Sequence, residues 1–150
     1  MRVIQLVDEA ALAAWLAARG IDVDAWGRGG AKTAADLWQE VRRGECVLLE
    51  TAVAPGCLRR VQLVEVIIRR GERVLLELAQ ELADGRRRER LIPPSEKMQP
   101  GEDTAVAAMR GLWEELHLAA ADVTLLDAGA APRRRRLDSP SYPGLPTEYL

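Results

Sequence analysis

The chain reads as an α+β fold with a mixed β-sheet, and three observations carry that reading. Apolar residues recur at helical spacing within 9–19, 34–43 and 104–117. The stretch 46–92 is instead built of short apolar runs. Those runs are separated by turn dipeptides, Gly71-Glu72 and Asp84-Gly85, of the kind that close β-hairpins.

Taken in order, residues 3–7 (VIQLV) are short, apolar and β-branched, which predicts a strand. Asp8 then caps a helix running to about Arg19, with Leu12, Trp15 and Leu16 on its apolar stripe and Gly20 as its stop. After the glycines at 27, 29 and 30, Thr33 is an N-cap with Asp36 three residues on, and Ala34, Leu37, Trp38 and Val41 make the apolar face of a second helix ended by Gly44. Residues 1–58 therefore read as a small α-rich unit with flanking strands.

Strands are expected at 46–50 and 61–70, the latter buried on both faces because its apolar run is nearly continuous. Residues 54–56 (APG) make a turn between them. In 73–82, Val74, Leu76, Leu78 and Leu82 alternate with Glu77 and Glu81, the period of a strand with one wet face. The Asp84-Gly85 turn returns the chain into 88–92. An irregular stretch to Gly101 follows, then a helix over 104–117 with Ala105, Ala108, Met109, Leu112 and Leu116 as its core stripe. A short strand is expected at 123–126, and 133–146 reads as a charged, proline-broken connection.

Composition narrows the function classes. At 48% apolar and 29% charged residues the chain is ordinary for a soluble domain, and no apolar run approaches a membrane span. Asp8 and Glu9 interrupt the N-terminal apolar stretch, a poor secretory signal, so the expected compartment is cytoplasmic or otherwise reducing, with Cys46 and Cys57 as free buried thiols. Fifteen basic and fifteen acidic residues follow position 58, so there is no positive surplus to mark nucleic-acid binding. Arg86, Arg87 and Arg88 and the run Arg133 to Arg136 read as solvated charge. Contact of Arg133 to Arg136 with RNA is a weaker alternative.

Residues 91–118, LIPPSEKMQPGEDTAVAAMRGLWEELHL, carry the functional information. Glu102 is followed by seven residues and then by Arg110, Leu112, Glu114, Glu115 and Leu118. This resembles the box of the Nudix family, and with the preceding hairpins the resemblance spans 59–150. It implies a Nudix-like domain whose box helix follows the third strand, and a sandwich short of its C-terminal strand and helix. An uncovered sheet edge is a pairing hazard and points to a homodimer.

The resemblance also implies roles. Glu114 and Glu115 would be catalytic carboxylates holding Mg²⁺ or Mn²⁺, Glu102 and Arg110 a structural brace, and Lys97 a phosphate contact. Three positions depart from the pattern: Glu96 stands for its opening glycine, Gly111 for the glutamate after the arginine, and His117 for a later glycine. Residues 111, 114 and 115 share a helix face, so Gly111 removes one carboxylate from a fan of three.

Two readings follow. In one, Glu96 or Glu102 supplies the missing ligand, with Glu96 the better candidate because Glu102 pairs with Arg110, and the protein hydrolyses a nucleoside diphosphate linked to another moiety. In the other, the site has lost its metal chemistry and the fold is a nucleotide-binding or protein-interaction module. On the first reading, Gly111→Glu restores the motif and raises metal affinity. Trp113 lies near enough to stack on a ligand base, while Trp15, Trp26 and Trp38 read as packing residues. His117 reads as exposed or capping.

Overall fold

The structure, a computed structural model, describes residues 1–126 and 133–150. Helix α1, Glu9–Ala17, begins where Asp8 accepts a hydrogen bond from the Ala11 amide at 2.7 Å. Helix α2, Ala34–Arg42, opens on a reciprocal capping box. Asp36 N donates to Thr33 Oγ1 and Thr33 N donates to Asp36 Oδ2. Gly20 and Gly44 follow at positive φ, where a Cβ would be penalised, and close the two helices.

Both helices cover a five-stranded mixed sheet. Its members are β1 (Arg2–Val3), β2 (Val47–Glu50) and β3 (Cys57–Val61), joined near the end of the chain by β10 (Arg135–Asp138) and β11 (Pro146–Tyr149). The order is β1-β2-β3-β11-β10, antiparallel except for β3 and β11, which run parallel with Thr147 opposite Arg59. Leu12, Leu16 and Leu37 of the helices meet Leu48, Cys57 and Val61 of the sheet and Tyr142 and Leu145 of the β10–β11 turn. Burial pushes both free thiols, Cys46 and Cys57, above the ordinary thiol range.

At Gln62 the chain leaves this sheet. Leu63–Glu65 (β4) pairs with Ser95–Lys97 (β9), and helix α3, Thr104–Leu116, packs Ala107 and Ala108 against Val64 of β4. Beyond β4 the ribbon continues as two hairpins, β5 (Arg69–Arg70) with β6 (Arg73–Val74) and β7 (Glu77–Glu81) with β8 (Arg87–Ile92). Among the described residues no helix is long and apolar enough to cross a membrane.

Several expectations are corrected. The stretch 61–70 is not one doubly buried strand: it changes partner at Gln62, and Ile67 is 49% exposed. Val74, Leu76 and Leu78 do not line a core, whereas Leu82 is buried. The irregular stretch before Gly101 contains β9, and 133–146 contains β10. Residues 123–126 form no strand with any of the described residues, and Leu125 and Leu126 are exposed. The buried arc of α3 is Ala107, Ala108, Gly111 and Leu112, turned from the expected stripe toward its smallest residues because β9 approaches there. Strand β3 spans position 58, and the sheet and core draw on residues before and after it.

Candidate functional site

The tract 95–118 folds as strand, loop and helix, and each part aims a charged group at the next. In β9 successive side chains point to opposite faces, so Glu96 turns toward α3 and Lys97 away from it. The loop closes with the Gln99 amide donating to Glu102 Oε2 at 2.8 Å. Asp103 then caps α3, accepting from the Ala105 amide at 2.9 Å and the Val106 amide at 3.4 Å. The helix ends at His117, which is exposed and takes a left-handed conformation with φ 56°.

Arg110 is the centre of the arrangement. Its Nε and Nη2 donate to the two oxygens of Glu102, both at 2.9 Å, a bidentate fork. Nη1 donates to Glu96 Oε1 at 3.0 Å and Glu114 Oε2 at 3.4 Å, and Nη2 also reaches the Lys97 carbonyl at 2.8 Å. One guanidinium thus ties strand, loop and helix together. The fork, helped by the Gln99 amide, holds the Glu102 carboxyl down at about 2, while Glu102 and Glu96 push Arg110 above its ordinary value.

Arg110→Lys keeps the charge and loses the fork. In that variant the Glu102 carboxyl is expected to titrate markedly above 2, toward the ordinary 4.5, when followed by carboxyl-carbon NMR. A titration unmoved from about 2 would show that the Gln99 amide alone is responsible.

Gly111 has a specific neighbour. A Cβ there would meet Glu96 Cβ at 2.8 Å and Glu96 Cγ at 3.0 Å, with Glu96 Oε2 at 3.5 Å. The stem of Glu96 therefore fills the volume that a side chain at 111 would need. Glu96, Gly111 and Glu115 line one crevice of about 20 Å³, room for a single water or ion. Glu114 is not in that lining; it is half exposed and leans toward Arg110.

A divalent ion of the kind the resemblance implies therefore finds two carboxylates at the crevice, and one of them already accepts from Arg110. The third carboxylate of the expected set is elsewhere. Among the described residues no group of three His, Cys, Asp or Glu side chains is placed to hold a metal ion. These donors do not fit a three-carboxylate centre.

Lys97 is not free to meet a phosphate. Its Nζ lies 2.7 Å from Glu40 Oε1 and 2.8 Å from Glu45 Oε2. Glu40, only 5% exposed, is also held by Lys32 Nζ at 2.7 Å and Arg59 Nη2 at 2.5 Å. Burial alone would raise the Glu40 carboxyl, but Arg59, Lys97 and Lys32 outweigh it and hold it at about 2. The Arg59 guanidinium in turn sits 5.0 Å from the centre of the Tyr142 ring. The sequence offers one signal for this node: Glu40 stands three residues after Leu37, on the side of α2 that should be apolar.

A cavity of about 470 Å³ lies between α2 and the β7–β8 turn. Asp36, Glu40, Glu45, Glu81 and Asp84 line it against Lys32 and Arg43, a balance unsuited to phosphates. The arginine clusters also differ from expectation. Arg86 donates to the Gly29 and Ala31 carbonyls, Arg88 donates to Ser141, and Arg134 and Arg136 lie 3.7 and 3.2 Å from Glu148, whereas Arg87, Arg133 and Arg135 are exposed as expected. Trp26 packs against Tyr142 with ring centres 5.2 Å apart, and Trp15 and Trp38 border the same core. Trp113 is 57% exposed, its ring centre 6.0 Å from that of His117. No protein-family model, no curated protein and no solved structure matches the chain.

Proposed function

We propose that this chain is a Nudix-like binding module in which the box works as a structural lock, and that it engages protein surfaces. The observation that carries this reading is the occupancy of Arg110. It takes Glu102, Glu96 and Glu114 at once, while the stem of Glu96 closes the space at Gly111. Carboxylates neutralised by a guanidinium are poor ligands for a divalent cation, because the ion would have to displace a charge-assisted bond. The engagement of Lys97 and the acidic lining of the large cavity favour a protein over a nucleotide as partner.

Mn²⁺ titration followed by electron paramagnetic resonance, with an assay of AMP release from ADP-ribose, tests the reading. The expected result is neither saturable Mn²⁺ binding at sub-millimolar metal nor turnover. The second reading is Mg²⁺-dependent hydrolysis of a nucleoside diphosphate linked to another moiety. It is favoured by one observation, the shared crevice of Glu96 and Glu115. Metal-dependent turnover lost in Glu115→Gln would establish it and overturn the first. If a nucleotide is bound without hydrolysis, Trp113 is the residue whose fluorescence ADP should quench.

A further inference from the structure

One partly buried cation lacks a counter-charge. Among the described residues, every buried or half-buried arginine or lysine has a carboxylate within ion-pair distance, with the exception of Arg88. From its half-buried place on β8, Arg88 Nε donates to Gln80 Oε1 at 2.9 Å and Nη1 donates to Ser141 Oγ at 2.8 Å. Both acceptors are neutral. Arg90 Nη1 reaches the same Gln80 oxygen at 3.0 Å, so two guanidinium groups converge on one amide. Glu77, 3.3 Å from Arg90, answers the charge of that residue and leaves one positive charge over. Burial, and then the Arg90 charge, push Arg88 below the ordinary arginine range, whereas Glu102 pushes Arg110 above it. Drawing a cation partly out of water without a counter-charge costs free energy, and an anion from outside would remove that cost.

The surroundings suit such an anion. No described residue accepts from Arg88 Nη2. Ser141 Oγ receives the Arg88 bond, and no described residue accepts the Ser141 hydroxyl hydrogen in turn. A Cβ at Gly30 would lie 3.5 Å from Arg88 Cβ and 3.8 Å from Cδ, so the arginine stem rests against the loop between α1 and α2. Ser141 is tied to the same loop, its carbonyl accepting from the Lys32 amide at 2.8 Å. The guanidinium is therefore held from three sides, by β7, by this loop and by the β10–β11 turn, before a ligand arrives. Binding then loses little side-chain freedom.

We propose that Arg88 Nη2 and the Ser141 hydroxyl form a binding site for a carboxylate, with Arg90 at its flank. A single surplus charge matches a single negative charge, which favours a carboxylate over a phosphate dianion. The carboxylate belongs to an acidic side chain of a partner protein or to a small organic acid. The inference rests on the binding-module reading only for the first of these sources.

Nuclear magnetic resonance of the full chain, following the Gln80 side-chain amide and the Gly30 backbone amide, tests it with two probes. Sodium acetate stands for a free acid, and the blocked tripeptide glycyl-glutamyl-glycine for a glutamate carried on a protein. Both probes should shift both signals saturably, with half-saturation at about millimolar concentration, and sodium chloride at equal ionic strength should not. Tighter binding of the tripeptide assigns the carboxylate to a protein; acetate bound as tightly or more tightly assigns it to a small acid. Arg88→Gln should weaken binding by about tenfold or more, and Ser141→Ala by about threefold. Ser141→Ala keeps every charge, so it remains informative if Arg88→Gln loosens the ribbon. No saturable shift, equal shifts with chloride, binding that survives Arg88→Gln, or inorganic phosphate bound about tenfold tighter than acetate would each overturn the inference. Failure of these shifts leaves the lock reading standing, whereas metal-dependent turnover removes that reading and leaves the carboxylate site.

Discussion

Gly111→Glu is expected to destabilise the protein without creating metal affinity. The motif suggests a lost ligand at 111, yet the space for one is taken by atoms close to the β9 backbone. A new Cβ would stand 2.8 Å from Glu96 Cβ, and Cβ cannot swing aside as a side-chain tip can. Either β9 moves from α3 or the helix shifts. Leaving glycine in mid-helix gains about 1 kcal/mol of propensity, and overpacking of this kind costs about 1–3 kcal/mol or more. For glutamate the balance is further worsened by a second carboxylate beside Glu96.

A net loss of about 2 kcal/mol should lower the melting temperature of a chain this size by some 4–8 °C. Gly111→Ala should show a smaller loss of the same sign. Glu96→Gly in either background should recover much of it, giving a coupling energy of about 1–3 kcal/mol between two residues fifteen apart. A higher melting temperature for Gly111→Ala, or saturable Mn²⁺ binding by Gly111→Glu, would mean that Gly111 marks only a deleted ligand.

The parts of this site legible in the sequence are those fixed by local chemistry. Asp8, and Thr33 with Asp36, announce two helix starts because a short side chain can reach the free amides of the first turn. Asp84-Gly85 announces its hairpin for an equally local reason. The brace of Glu102 and Arg110 is legible only through the resemblance of their tract to the Nudix box. Position 111 looked like an absence because its occupant arrives from β9, and β9 is three polar residues between proline-rich turns with no alternating signal of its own. Strand β11 is similar. It forms against β3 across most of the chain, and nothing near 146–149 announces a parallel partner at 59–61. Lys97 illustrates the same limit. Its residue type and position suit a phosphate, but the carboxylates that hold it come from α2 and the turn after it.

The buried node around Glu40 yields the largest expected effect. Arg59 is 3% exposed and Glu40 is the one carboxylate, among the described residues, within ion-pair distance of it. Lys32 and Lys97 converge on the same group. Removing one member of a buried ion pair strands the other in a medium that solvates it poorly, at a cost of about 3–5 kcal/mol. Glu40→Ala should therefore unfold most of the protein at moderate urea, and Glu40→Gln, which keeps the shape, should retain a folded but weakened state.

The pH dependence separates charge from packing. The Glu40 carboxyl lies at about 2 when folded, below its ordinary 4.5, so its charge stabilises fully above about 4.5 and progressively less as pH falls toward 2. Urea midpoints of the parent and Glu40→Gln should differ most at neutral pH and converge on acidification through that window. A gap that persists unchanged near pH 2 would assign the node's contribution to shape and hydrogen bonding. Convergence would establish the carboxylate charge as what holds α2, β3 and the lysine of β9 together, and so as what sets β9 against Gly111.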